Sequence, residues 1–260
     1  MTRPATIWLQ CATPVDDPQQ RLICFPHAGG SASFYRDWGA HLPGTEVHAV
    51  RYPGRAERLA EPPATDLRAL AAVIAEALEP LADRPLALFG HSMGAPIALE
   101  TARVLEARGI RPAHLFASGS CDAPHPDPAA GEGAEEGGEG AEEGGENAED
   151  DAAVVERLLT LGGTDPELAR DPAFQELVLP YVRADSRMFH TYRPRPETPL
   201  RCPVTTIAGD ADTDADRRPW SELTAGPVRA HTTRGDHFYL VDRPPYELIL
   251  ATLAPAAARG

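Results

Sequence analysis

Lysine is missing altogether from this 260-residue chain: its 24 basic residues are all arginine, set against 39 aspartates and glutamates. We attribute this one-sided choice of base to the composition of the source genome. Long apolar runs are missing too, and none approaches the eighteen or more residues that a membrane-crossing helix needs. The opening residues Met1-Thr2-Arg3-Pro4-Ala5 hold no apolar stretch of signal-peptide type, so a cytoplasmic protein is expected. Cysteine is sparse. Cys11, Cys24, Cys121 and Cys202 show no Cys-x-x-Cys spacing, which argues against a zinc site and against a disulfide framework. Cys24, inside Leu22-Ile23-Cys24-Phe25, is read as a small buried hydrophobe. A basic surplus is also lacking. The net charge is −15, but eleven acidic residues and no basic one lie between Asp127 and Asp151, which leaves only −4 for the rest. A nearly balanced body of that kind disfavours nucleic-acid binding.

What is present is enough for one core. With 42% hydrophobic residues, a single α/β domain of ordinary length is expected. Its most informative stretch is Gly90-His91-Ser92-Met93-Gly94, preceded by the apolar run Leu86-Ala87-Leu88-Phe89 and followed by a helix-forming sequence from Ala95 to Ala107. A strand entering a helix through so tight a turn is a nucleophile elbow. The glycines admit the close approach of strand and helix, and the strained serine is pushed out where a base and a substrate can both reach it. The helix behind it aims free N–H groups at the same spot, favouring negative charge there.

Strand patterns are read at residues 5–11, 21–26, 46–50, 86–89, 113–118, 203–209 and 228–232, and helical spacing at 34–41, 66–80, 95–107 and 244–253. Thr65 and Asp66 are both plausible N-caps for the second of these helices. Strands alternating with helices in this way imply a mostly parallel sheet covered on both faces. About eighty-five residues separate the strand ending at Ser118 from the next core strand, far more than a crossover requires. The excess is expected to be an excursion over the elbow's end of the sheet, a lid across 122–195, with a core formed by 1–121 and 196–260. The lid's second half is helical by pattern, around Val154–Leu159 and from Phe174 toward Phe189. Its first half carries a seven-residue repeat of glycine and glutamate beginning at Gly131, Gly138 and Gly145. No repeat position carries an apolar side chain larger than alanine, which argues against a coiled coil and predicts a disordered acidic loop over about 127–151.

Serine needs a base. Among nine histidines, His237 follows the last predicted strand in a Gly-Asp-His loop at the same end of the sheet as Ser92. His231, His48 and His114 lie within strands and read as sheet or core residues; His91 is expected to leave the elbow on the side away from the serine. The base needs an acid to fix its tautomer, and Gly209-Asp210-Ala211-Asp212-Thr213-Asp214-Ala215-Asp216 offers four carboxylates. Asp212 is preferred, with Asp210 and Asp214 as alternatives; the order Ser…Asp…His is that of the α/β-hydrolases. The loop lacks the glycine and terminal glutamate of an EF-hand, so it is not read as a calcium site.

The chain resembles the type II thioesterases of polyketide and nonribosomal peptide biosynthesis, within the α/β-hydrolase fold. The matching residues are Phe25-Pro26-His27-Ala28-Gly29-Gly30-Ser31-Ala32, Tyr52-Pro53-Gly54-Arg55 through Glu61-Pro62-Pro63, Gly90-His91-Ser92-Met93-Gly94-Ala95, Leu161-Gly162-Gly163-Thr164-Asp165-Pro166 and Gly235-Asp236-His237-Phe238. The resemblance implies a triad of Ser92, Asp212 and His237, and an oxyanion hole from the backbone N–H groups of Ala28 and Met93. It implies hydrolysis of acyl groups from the phosphopantetheine arm of acyl or peptidyl carrier proteins; the mechanism calls for no metal or organic cofactor, and a monomer is expected. The chain departs from the family in two places: Asp212-Thr213 stands where the family has Asp-Pro, and the acidic repeat has no counterpart. Carrier proteins are acidic, so Arg55, Arg58, Arg183, Arg187, Arg193 and Arg195 are the docking candidates. The competing readings are an esterase or acyltransferase for a small diffusible ester, and a non-catalytic hydrolase-like partner protein.

Overall fold

The computed structural model describes residues 5–122, 167, 170–193, 195 and 197–254. In chain order the elements are α1 (Ala5–Trp8), β1 (Leu9–Gln10), β2 (Gln20–Phe25), α2 (Trp38–His41), β3 (Thr45–Val50), α3 (Leu67–Leu78), β4 (Leu86–His91), α4 (Gly94–Ala107), β5 (His114–Ser118), β6 (Ser120–Asp122), α5 (Pro172–Thr191), β7 (Val204–Gly209), β8 (Asp216–Arg218), α6 (Trp220–Leu223), β9 (Val228–Thr233), α7 (Tyr239–Asp242) and α8 (Tyr246–Leu253). Seven strands form one sheet in the order β1-β3-β2-β4-β5-β7-β9, parallel except where β1 joins the edge antiparallel to β3. β6 and β8 make a separate parallel pair. Among the described residues no helix is long and apolar enough to cross a membrane.

Alternation along the central strands explains the layers. Ile23, Phe25, Leu88 and Leu115 face one core, shared with α3 and α4, while Leu22, Cys24, Phe89 and Phe116 face a second one, shared with Tyr35, Trp38 and Ile249. Cys24 is fully buried there, and burial pushes its thiol pKa well up. α3 begins at Asp66, whose carboxylate accepts from Ala69 N–H at 2.8 Å, so the capping residue is Asp66 rather than Thr65.

Two expected elements change. The strand anticipated at 5–11 is a helical turn followed by two paired residues, Leu9 and Gln10; Trp8 is instead used as a platform for the Arg58 guanidinium, 3.9 Å from its ring centre. The helix expected over 34–41 is split into a 3₁₀ turn (Ala32–Tyr35) and α2, with Ala32, Tyr35 and Trp38 buried at intervals of three, the 3₁₀ repeat. The acidic repeat and the helical pattern at Val154–Leu159 lie outside the described residues.

Candidate active site

Every sequence-predicted site residue of the triad falls at the carboxyl edge of the parallel strands, where ligands of open α/β sheets bind. Ser92 follows β4, Asp212 follows β7 and His237 follows β9. Backbone hydrogen bonds lock these ends together: Ser92 N to Ser118 O (2.8 Å), Gly119 N to Ile207 O (2.8 Å), Asp210 N to Thr233 O (2.7 Å) and Ala211 N to Gly235 O (2.9 Å).

The elbow is built as its glycines require. Ser92 sits at φ 54°, in the left-handed region that a β-carbon disfavours. A β-carbon on Gly90 would lie 2.2 Å from Gly94 O, and one on Gly94 would lie 2.1 Å from Phe25 O. The second contact shows how closely the elbow abuts the end of β2, from which the His27–Gly30 loop leaves. α4 has no side-chain cap at its N-terminus. Among the described residues, the N–H groups of Met93, its first residue's predecessor, and of Ala28 have no hydrogen-bond acceptor. Free donors at a helix start and on an adjoining loop are what an oxyanion requires.

His237 is 6% exposed, and its Nδ1 lies 3.0 Å from both Oδ1 and Oδ2 of Asp212, whose side chain is fully buried. A carboxylate can only accept, so the proton stands on Nδ1 and Nε2 keeps its lone pair. Ser92 Oγ makes no hydrogen bond to the ring among the described residues. The other carboxylates do different work: Asp210 accepts from Gly235 N–H at 2.9 Å, Asp214 touches Asp212 through its backbone N–H, and Asp216 opens β8 and accepts from Arg218 Nε at 2.5 Å. Of the preferred Asp212 and its alternatives Asp210 and Asp214, the structure brings only Asp212 onto His237.

Two neighbours were not legible. Gly119, at φ +64°, leaves room for the imidazole, since a β-carbon there would sit 2.9 Å from His237 Cε1. His91 packs beside the base. Its ring centre lies 5.1 Å from that of His237 and 5.8 Å from that of His27, and its Nδ1 meets Ser118 Oγ at 2.9 Å. The next link is Ser118 Oγ to Tyr239 OH at 2.7 Å. His91 is held well below its ordinary pKa by burial and by His237 and His27. His27 is lowered to about 3 by burial, with His237 and Arg55 adding to it. Both rings are therefore neutral near pH 7 and set no fixed positive charge against His237. Phe238, whose ring centre is 4.8–5.4 Å from all three histidines, fills the space between them.

The docking arginines divide. Arg55 is 3% exposed and forks onto Asp185 of α5 (Nη1 to Oδ2 2.5 Å, Nη2 to Oδ1 2.6 Å); Arg58 is 8% exposed and donates to Glu61 and to Arg51 O. Both are consumed inside the protein and are removed from the docking surface. Arg183 is partly buried on α5, while Arg187, Arg193 and Arg195 are exposed. Asp185 was missed although it carries a signal: buried α5 residues recur at Val178, Leu179, Val182, Asp185, Ser186 and Met188, so an acid stands on the apolar stripe.

Among the described residues, the one cluster of metal-binding side chains is Cys11, Glu46 and His48. It lies at the opposite end of the strands from Ser92, and its carboxylate is already held by Arg21 (3.0 Å) and His48 (2.8 Å).

Comparison with known proteins agrees with this geometry. Residues 20–254 match the family model for the thioesterase domain. The probable cadicidin biosynthesis thioesterase of Streptomyces griseus is 38% identical over 91% of the chain, and the chain spans 62% of that relative's length. Thioesterase PikA5 of Streptomyces venezuelae is 38% identical, covering 91% of this chain and 81% of its own. Among solved structures, the type II thioesterase BorB from the borrelidin biosynthetic cluster superposes with a TM-score of 0.77 at 38% identity, covering 95% of this chain and 98% of its own. RedJ, the thioesterase of the prodiginine pathway in Streptomyces coelicolor, gives 0.73 at 36% identity, over 93% of this chain and 88% of that one.

Proposed function

The chain belongs to the thioesterase domain family, and from that premise we propose that it hydrolyses acyl groups from the phosphopantetheine arm of acyl or peptidyl carrier proteins, clearing stalled or wrongly primed units from a polyketide or nonribosomal peptide synthase. The observation that carries this reading is coverage. Similarity to proteins named as type II thioesterases of such pathways extends over more than nine-tenths of the chain rather than over an elbow shared by any serine hydrolase.

In the proposed mechanism His237 Nε2 takes the proton of Ser92 Oγ as that oxygen attacks the thioester carbonyl. Asp212, at 3.0 Å from Nδ1, holds the tautomer and stabilises the imidazolium that forms. The carbonyl oxygen becomes an oxyanion between the Ala28 and Met93 N–H groups, each such donor being worth about 3–4 kcal/mol of barrier. Collapse expels the phosphopantetheine sulfur, which takes the proton from His237. Water, deprotonated by the same ring, then attacks the acyl–Ser92 ester and releases the acid. These steps call on no metal or organic cofactor.

α5 acts as the lid helix in this reading, and Arg183, Arg187, Arg193 and Arg195 meet the acidic carrier. We place the protein in the cytoplasm, acting as a monomer. The discriminating experiment compares kcat/KM for an acylated carrier protein with that for a soluble ester of the same acid. Preference for the carrier thioester supports the proposal; preference for the soluble ester replaces it with the small-ester esterase.

A further inference from the structure

Of the three consecutive amides in the Ala28-Gly29-Gly30 loop, two are spoken for. Gly30 N–H donates to His27 O at 2.9 Å, and Gly29 N–H donates to Asp185 Oδ2 at 2.9 Å. Only the Ala28 N–H is left to face a reacting carbonyl. Gly29 stands at φ +77°, where glycine moves freely, so the loop's internal bond from Gly30 N–H to His27 O does not by itself fix the direction of the Gly29 amide. The Gly29 amide is fixed from outside the loop. Asp185 reaches it from α5, and Arg55, from the segment between β3 and α3, grips both carboxylate oxygens at 2.5 and 2.6 Å. Arg55 Nη1 also donates to Gly30 O at 3.2 Å, so the guanidinium touches the loop itself. Tyr181, one turn before Asp185, and Tyr52 place their rings 4.7 and 5.3 Å from the guanidinium carbon, completing its enclosure.

We infer that Arg55 and Asp185 are positioning residues for the oxyanion hole: their buried fork holds Gly29 and Gly30 so that the Ala28 N–H alone points at the reacting carbonyl, and it ties that alignment to the placement of α5. The inference rests on the proposed role of Ser92 and of the Ala28 donor. Two buried charges of opposite sign are an expensive way to pin a helix, and apolar residues commonly do as well or better. A planar fork that simultaneously orders a loop amide gives a reason for the charges to be there. The pair also couples the lid helix to the chemistry, since displacing α5 removes Asp185 from Gly29.

The test uses Asp185→Asn and Arg55→Lys in the full chain, with a small soluble thioester as substrate and an alkyl boronic acid that adds to Ser92 Oγ and places an oxygen in the hole. Loss of a single hole donor lowers kcat by about 10²–10³, so misalignment is expected to lower kcat by roughly 10² in Asp185→Asn and by about tenfold in Arg55→Lys, where charge remains but the fork is lost. KM should stay within about twofold of wild type, and boronate affinity should fall by the same factor as kcat/KM, because only the transition state and its analogue use the hole. A merely structural pair would not produce that proportionality. Folded variants with wild-type kcat overturn the inference, as does a raised KM with unchanged kcat, which makes the pair a wall of the substrate cleft. If Asp185→Asn fails to fold, the milder Arg55→Lys decides. If the wild type binds boronate at Ser92 yet cleaves no thioester, the functional reading fails on its own and boronate affinity across the variants still judges the pair.

Discussion

Replacing Asp212 by asparagine changes one atom and tests the electrostatics of the whole site. In the native geometry both carboxylate oxygens stand 3.0 Å from His237 Nδ1, and the side chain is sealed from water. When the ring takes a proton from Ser92, an imidazolium forms against that carboxylate. Unit charges about 4 Å apart at an effective dielectric of about 20 attract by ~4 kcal/mol, which is a factor of about 10³ in rate. The amide removes that term and adds a second loss: its NH₂ can donate to Nδ1, fixing the proton on Nε2, where it blocks deprotonation of the serine. Together these predict a fall in kcat approaching the 10⁴ measured when the same change is made in another triad. The assay is thiol release from a soluble thioester under saturating substrate, with circular dichroism to establish that the variant folds. Asp210→Asn keeps an oxygen for Gly235 N–H, and Asp214→Asn leaves its backbone contact intact, so both should be mild. Asp212→Asn activity within about tenfold of wild type would mean that Asp212 does not stabilise the imidazolium, since loss of a charge at 3.0 Å from Nδ1 costs far more than that. A damaging Asp210→Asn would move the acid by two residues.

Ser92→Ala and His237→Ala should each reduce hydrolysis to below about a hundredth of wild type, and the double variant should be little worse than either, because the two act as one unit; additive losses would mean that His237 is not the base. Gly94→Ala places a β-carbon 2.1 Å from Phe25 O, which only a backbone shift can relieve, and should lower stability by about 1–3 kcal/mol in urea titrations together with activity. Acid should destabilise the fold through its buried histidines. His114, lowered from 6.5 to about 4 by burial and Arg229, is neutral in the fold but protonates in the unfolded chain. Stability is therefore whole above about pH 6.5 and falls by about 1.4 kcal/mol per pH unit per such histidine until the folded value is reached. His114→Gln, which can keep the 2.8 Å bond to Thr205, should flatten that slope in denaturation measured between pH 6.5 and 4. Charge reversal at Arg187, Arg193 or Arg195 should raise KM for an acyl-carrier protein at low salt and leave a small neutral thioester unaffected, the difference fading as salt rises.

The central sheet was readable because buried parallel strands are short apolar runs between helices, and Leu86–Phe89 or Val204–Gly209 has no other good home. The elbow was readable because its glycines answer a steric demand visible in sequence. Asp66 against Thr65 was not readable, because neighbouring residues able to cap differ only in where the chain turns; Asp212 was preferred over Asp210 and Asp214 from its place just past the strand, and its contact with His237 follows that choice. The edge misled for a physical reason: Ala5–Cys11 is apolar enough to read as a strand, but an edge strand has one partner, and only Leu9 and Gln10 pair with β3 while Trp8 stacks on Arg58. Arg55 illustrates the harder limit. An arginine in a loop reads as a surface charge until a distant acid, 130 residues along the chain, is known to meet it.

Intact-mass spectrometry of a panel of acylated carrier proteins reads Ser92-dependent hydrolysis of a carrier-bound thioester directly. Exposure to the enzyme should remove the acyl mass and leave the phosphopantetheine arm in place, and Ser92→Ala should leave every carrier acylated. Carriers that keep their acyl groups while the same preparation turns over soluble esters, or that lose them equally to Ser92→Ala, would contradict it.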